Sequence, residues 1–346
     1  MKCLIVGQGI AGTVLAWTLM QRGVAVQIAD AGFPHQSSGA AAGIINPVTG
    51  KRFVKSWRFD TFFPAARATY QAMETELHCA IWQELPILRV LENAQQANDW
   101  AARMAVPEYA AVLGERPDAG PWSSFLSPGL QTGEIRQAAR VDFPQLLSTF
   151  RQKAAAEGLL QTHQMTPVAA KTLAADFDYI IFCEGHRGLD NPFFPNLPWQ
   201  LSKGDGLLFR FEEPAADGLQ EMVKRNLMLA PLGDGLFWAG ATYQWTFRDD
   251  GTSEPEQISI EERLSGMLSA PYRVVKRFGA IRPTVKDRRP FIGISPLHPK
   301  MIIFNGLGTK GALLAPYWAG HLADCLLSGK EIDAEVNIAR FAPVSG

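Results

Sequence analysis

The chain opens on an almost unbroken apolar run, Lys2 to Val6 (KCLIV), the pattern of a strand buried on both faces. From Ile10 to Arg22, Val14, Leu15 and Leu19 recur at helical spacing. Gly23 ends that helix, and Val24 to Ala29 is a second β-branched run, so the start reads as a βαβ unit. Farther on, the pattern predicts a helix over 143–157, a strand over 159–164 and a buried strand over 177–183 that ends at Gly185. Residues 301–305 form another short strand, followed by Gly-rich sequence and a helix to about Leu327. Pro316 falls early in that helix, so its first regular turn is expected near Leu313. Between these segments the texture changes. A stiff connector, DNPFFPNLP, precedes short runs at 207–211, 227–230 and 236–243 broken by Gly-Asp and Asp-Gly turns, which predicts antiparallel hairpins. The expected fold class is α/β. It combines a Rossmann-like, parallel-sheet nucleotide-binding domain with an α+β substrate domain whose sheet is mainly antiparallel.

A length of 346 residues suits two domains, and 47% hydrophobic with 19% charged residues excludes a disordered chain. The formal net charge of −1 argues against nucleic acid as a partner of the whole surface, though not of a local patch. Cys3, Cys79, Cys183 and Cys325 are far apart and the histidines are scattered, so no metal or redox dithiol is expected. The longest apolar stretch, 311–327, contains His321 and Asp324 and is shorter than the ~20 residues of a membrane span. With a strand beginning at Lys2, no signal peptide and a cytoplasmic location are the expectations.

Gly7-Gln8-Gly9-Ile10-Ala11-Gly12 is a GxGxxG between strand and helix. Gly7 permits the turn, Gly9 lets backbone approach a pyrophosphate, and Gly12 lets helix and strand pack closely. Phosphates would sit on the helix N-terminus. Asp30 ends the second strand, placed to accept hydrogen bonds from a ribose with a free 2′-hydroxyl, so NAD or FAD fits better than NADP. The small-residue run SSGAAAGIINP at 37–47 allows backbone to approach a flat ring system. Near the other end of the chain, NGLGTKGALLAP is again strand, Gly-rich loop and helix, and FGAIRPTVKDRRPFIG precedes it. A helix N-terminus there would stabilise negative charge on a reduced flavin.

Together these segments resemble the D-amino-acid-oxidase family of FAD-dependent amine oxidoreductases, along the whole chain and in order. Within it the chain is most similar to the FAD half of the bifunctional tRNA wobble-uridine modification enzyme, especially at GLGTKG, with no room for that enzyme's methyltransferase half. The resemblance implies FAD held by Gly7, Gly9, Ile10, Ala11, Gly12, Asp30 and Ala31 of the first unit. It further implies Ser38, Ala42 and Gly43 of the small-residue loop, Val168 against adenine, and Gly185. Arg282, Gly306, Gly308, Thr309, Lys310 and Gly311 complete the set. It implies a domain assembled from 1–60, 130–195 and 275–346, with 61–129 and 196–274 as substrate domain. The family's substrate arginine falls on Arg282. The family's covalent members tether flavin through a cysteine near this point, and its absence here implies non-covalent FAD. The implied reaction oxidises the C–N bond of an amino acid or secondary amine by hydride transfer to flavin N5, followed by imine hydrolysis, with oxygen or a carrier as electron acceptor.

Arg282, Lys310 and Tyr243 are the candidate catalytic residues. Arg282 clamps a carboxylate or forms an ion pair with Asp287. Lys310 places a cation beside the flavin or is a solvated loop lysine. Tyr243 and Trp245 wall a substrate pocket or belong to a core. Lys51, Arg52, Lys55 and Arg58 hold a second anionic group or form a solvated face, and Lys203 is a further active-site candidate. A plain NAD-dependent Rossmann dehydrogenase is the alternative, though it leaves GLGTKG without a role. A flavin-binding or RNA-associated module without turnover is the third reading.

Overall fold

The computed structural model describes residues 1–341. Its first sheet has six strands in the order Leu160–Gln161, Ala25–Ala29, Lys2–Val6, Tyr179–Phe182, Met301–Asn305 and Phe291–Ile294. Every neighbouring pair is parallel except the last, which is antiparallel. Alternate side chains leave a strand on opposite faces. Cys3 and Ile5 thus enter the core beneath helices Ile10–Gln21 and Gly311–Ser328, while Leu4 and Val6 enter a second core with Phe182 and Ile303. Both faces are covered, which is why the strand shows no polar alternation.

The second sheet has eight strands. Their order is Tyr272–Arg282, Ser202–Phe211, Leu236–Gly240, Met228–Gly233, Met222–Lys224, Ile87–Leu91, Gln131–Ile135 and Leu113–Glu115. One pair, Met222–Lys224 with Ile87–Leu91, is parallel and the rest are antiparallel. Helix Glu254–Met267 covers one face, where Leu207, Phe209, Phe237, Ile260 and Leu264 pack together. The opposite face walls a cleft toward the first sheet.

Several boundaries differ from the sequence pattern. Gln131–Ile135 and most of Tyr272–Arg282 fall in ranges expected in the nucleotide-binding part, yet both run in the eight-stranded sheet. Helix Phe59–Leu77, mostly assigned to the substrate part, buries Phe62, Ala66 and Tyr70 in the same core as helix Gly311–Ser328. The expected strand at 159–164 is only Leu160–Gln161. Residues 342–346 of the expected range lie outside the described residues. The C-terminal helix begins at Gly311 rather than Leu313, which leaves Pro316 in its second turn. There Pro316 cannot donate to the carbonyl of Ala312. Tyr70 Oη donates to that carbonyl instead, at 3.0 Å, and supplies the missing bond. None of the helices among the described residues is long and apolar enough to cross a membrane.

Candidate functional site: a cleft between two sheets

The two Gly-rich strand-to-helix turns, far apart in sequence, meet at one place. A Cβ at Gly311 would lie 3.0 Å from Ile10 Cγ2, so the N-termini of the two helices stand side by side. The cleft in front of them measures about 1690 Å³. That exceeds the ~300–1,000 Å³ of a single-ligand pocket, so it has room for a dinucleotide and a second molecule.

The first turn is built as the sequence requires. Gly7 adopts φ +99°, and a Cβ there would lie 2.6 Å from the Cys183 carbonyl. A Cβ at Gly12 would overlap the Gly7 carbonyl, so helix and strand pack directly. The first amides of a helix have no internal partners. Here Ser38 Oγ accepts from Ile10 N at 3.1 Å, which ties the small-residue loop to this end. Asp30 is 6% exposed, and its carboxylate accepts from Gln8 N (2.8 Å), Gly32 N (2.9 Å) and Arg151 Nη1 (3.0 Å). These bonds fix the carboxylate at the cleft wall. Across the cleft, Trp238 Nε1 donates to the Ala40 carbonyl at 3.0 Å and links the second sheet to the small-residue loop.

Gly7, Gly9, Ile10, Ala11, Asp30, Ala31, Ser38, Ala42, Gly43 and Gly185 all line the cleft, as do Gly306, Gly308, Thr309, Lys310, Gly311, Tyr243 and Arg282. Gly12 lies behind the wall in its packing role. Val168 does not line the cleft. Thr166 caps helix Pro167–Leu173 by accepting from Ala169 N at 3.1 Å, and Val168 on that first turn is 75% exposed. His163, Gln164, Met165 and Pro167 occupy the wall there instead.

Arg282 ends the edge strand of the second sheet with its guanidinium inside the cleft. It donates to the carbonyls of Lys203 (3.2 Å) and Thr242 (3.0 Å) and lies 4.3 Å from the centre of the Tyr243 ring. The expected partner Asp287 binds Arg340 instead, at 2.9 Å. Among the described residues Arg282 has no ion pair. Burial pushes its pKa below the ordinary value, opposed by Tyr243 and Asp205. Tyr243 and Trp245 are half-exposed and line the cleft. Lys310 Nζ donates to Ser56 Oγ at 3.1 Å, and burial, with Arg288 and Arg289 nearby, lowers its pKa to about 8.

Of the remaining candidates, Lys203 is buried and reaches Asp249 at 3.4 Å, outside the cleft wall. The basic cluster divides. Lys51 and Lys55 line the cleft, with Lys55 paired to Asp60 at 2.7 Å. Arg58 binds Asp333 and Tyr317 at 3.0 Å each and is structural. Lys224, Arg89 and Arg263, which line the far end of the cleft, have no motif in the sequence. No group of three or more His, Cys, Asp or Glu among the described residues could hold a metal.

The model for DAO, the FAD dependent oxidoreductases, matches residues 2–325. The chain belongs to the DAO family. As a DAO-family protein it is an FAD-dependent oxidoreductase, which sets aside the NAD-dependent reading. The residues fit the cofactor: Gly7 and Gly12 leave room no side chain would, and two helix N-termini face the cleft beside Asp30. The chain is 23% identical, over 97% of its length, to the tRNA 5-methylaminomethyl-2-thiouridine biosynthesis bifunctional protein MnmC of Thiobacillus denitrificans. It spans 58% of that protein. Its fold is similar to glycine oxidase from Geobacillus kaustophilus (TM-score 0.77, 20% identity, 99% of this chain and 98% of the other). Iminodiacetate oxidase from Chelativorans sp. BNC1 is also similar (TM-score 0.75, 20% identity, 99% and 98% coverage).

Proposed function

We propose that this DAO-family enzyme oxidises the C–N bond of an amine that carries a carboxylate, an amino acid or an N-substituted relative. The observation that carries the reading is Arg282. Its guanidinium sits in the cleft without a carboxylate partner among the described residues, and a planar fork with donors to spare suits a bidentate carboxylate. The names of glycine oxidase and iminodiacetate oxidase, both similar in fold, agree with such a substrate.

FAD supplies the two-electron acceptor when bound. In this reading Gly7, Gly9, Ile10 and Ala11 hold its phosphates, Asp30 its ribose, and Gly306 to Gly311 the face of the second helix N-terminus. The cofactor is held non-covalently. The chain's own work is mostly placement. Arg282 fixes the carboxylate and so orients the neighbouring C–H, and the Tyr243 ring covers the guanidinium and keeps it desolvated. Lys310, on the helix N-terminus, holds positive charge where negative charge develops. The substrate loses a hydride from the carbon and a proton from the nitrogen. The resulting imine takes up water to give a carbonyl compound and an amine or ammonia. Oxygen or a carrier then accepts the electrons. The test is an anaerobic screen of amino acids and secondary amines against the flavin-loaded protein, reading loss of the visible flavin band. Carboxylate-bearing amines should bleach it. Bleaching by none of them, with dithionite still effective, contradicts the reading.

A further inference from the structure

Arg282 marks one end of the sheet wall of the cleft, and the strand register leads to the other. Phe278 pairs with Gly206, Gly206 with Gly240, Gly240 with Met228, Met228 with Lys224, and Lys224 with Arg89. Directly paired residues share one face of a sheet. Phe278, Gly240, Met228, Lys224 and Arg89 all line the cleft, so this row crosses its wall. Lys224 lies four strands from the strand that ends in Arg282, a lateral separation of about 19 Å at the usual strand spacing. Arg282 lies four residues farther along its strand than Phe278, which adds about 13 Å along the strand to that separation.

The far end is strongly cationic. Arg89 is buried, donates to the carbonyls of Lys224 (3.2 Å) and Arg225 (2.9 Å), and keeps a buried Nε without a partner. Arg263 reaches the carbonyl of Asn226. Both arginines thus brace the turn that follows Lys224 and add charge beside it. The acids nearby are Glu92, which pairs with Arg225 at 3.0 Å, and Glu256. Among the described residues no carboxylate pairs with Lys224. Its pKa is pushed down to about 8, by burial first and then by Arg89 and Arg263. A solvated lysine would meet none of these costs. A chain of net charge −1 has gathered two guanidinium groups around one partly desolvated ammonium, and an arriving anion would relieve both repulsion and desolvation.

We propose that Lys224, braced by Arg89 and Arg263, binds a second anionic group, a carboxylate or a phosphate, carried at the far end of the same amine substrate. The substrate is then an amine with one anion on Arg282 and another across the sheet, rather than a small amino acid alone. This rests on the Arg282 reading above.

The test uses flavin-loaded protein and ligands that cannot be oxidised. α,ω-Dicarboxylates of increasing length, ω-phosphonocarboxylates and monocarboxylates of matching length are titrated by calorimetry and by the shift of the flavin spectrum. At one length the wild type should bind the dianion about tenfold more tightly than the monoanion. Lys224→Met should bring that ratio close to one, and Lys224→Arg, with unchanged flavin content, should keep most of it. The carboxylate and phosphonate arms show which anion is preferred. Monoanion binding with no dianion preference at any length overturns this proposal alone, as does a preference that survives Lys224→Met. Failure of both ligand classes to bind overturns it together with the Arg282 reading. A dianion preference in a protein whose flavin no amine reduces supports the site while contradicting the proposed reaction.

Discussion

Tyr70 donates to the carbonyl of Ala312 at 3.0 Å, and that carbonyl is the one Pro316 leaves without its helical partner. The two helices joined by this bond are Phe59–Leu77 and Gly311–Ser328, the second of which begins at the cleft. Tyr70→Phe leaves a buried carbonyl unsatisfied and should cost about 1–3 kcal/mol in denaturant unfolding. Pro316→Ala restores an N–H to Ala312, so in that background Tyr70→Phe should cost clearly less. Equal costs in the two backgrounds would mean the hydroxyl does not replace the lost helical bond.

Gly12 tests the nucleotide end. Its Cβ position overlaps the Gly7 carbonyl, which is backbone and cannot swing aside. Gly12→Ala should therefore push helix Ile10–Gln21 away from strand Lys2–Val6. The purified protein should lose most of its FAD, measured as flavin per protein after acid precipitation. Flavin released to the supernatant from wild type checks the non-covalent claim, and flavin retained in the pellet contradicts it.

Lys310 and Lys224 both have pKa values lowered by burial from 10.5 to about 8. Between about pH 8 and 10.5 each of these two lysines thus holds fewer protons in the folded, flavin-stripped protein than in the unfolded chain. Their contribution to stability should rise with pH through that window, opposed by Cys3 and Cys183, whose thiols burial pushes up and which keep their protons longer in the folded state. Denaturant unfolding at about pH 7.5 and 9.5 isolates the lysine contribution by difference: Lys310→Met should make the change in stability between the two less positive than in wild type. A slope unchanged by both Lys310→Met and Lys224→Met would mean that these ammonium groups are hydrated in the folded protein.

Much of this architecture was legible where one segment carries its whole signal. Lys2–Val6 is apolar because both faces are covered, and Gly12 answers to the Gly7 carbonyl five residues before it, although Gly7 itself meets the distant Cys183 carbonyl. Val168 lies outside the cleft wall because Thr166 and Pro167, a cap and an N1 proline, start a helix there. Helix Phe59–Leu77 left its trace in Phe59, Phe62, Phe63, Ala66 and Tyr70 at helical spacing, masked by Pro64. The Lys224, Arg89 and Arg263 group has no such trace. These residues are neighbours only through the register of Met222–Lys224 against Ile87–Leu91 and the fold of the chain around it, and no local pattern encodes that.

The central claim is that Arg282 holds the substrate's carboxylate while the substrate reduces the flavin. Arg282 forms no ion pair among the described residues, so Arg282→Ala breaks no salt bridge within the protein and flavin content should stay near wild type. Truncating a buried charge-pairing group costs about 2–5 kcal/mol, or roughly 30-fold and more in the rate of reduction at low substrate. Arg282→Lys should recover little, because an ammonium lacks the planar fork. The deciding measurement is the anaerobic rate of flavin reduction per bound flavin by one carboxylate-bearing amine, in wild type and Arg282→Ala, with flavin content taken from the same samples. A rate lowered at least 30-fold with flavin content preserved is the predicted result. A normal rate per bound flavin, whatever the flavin content, would contradict the account.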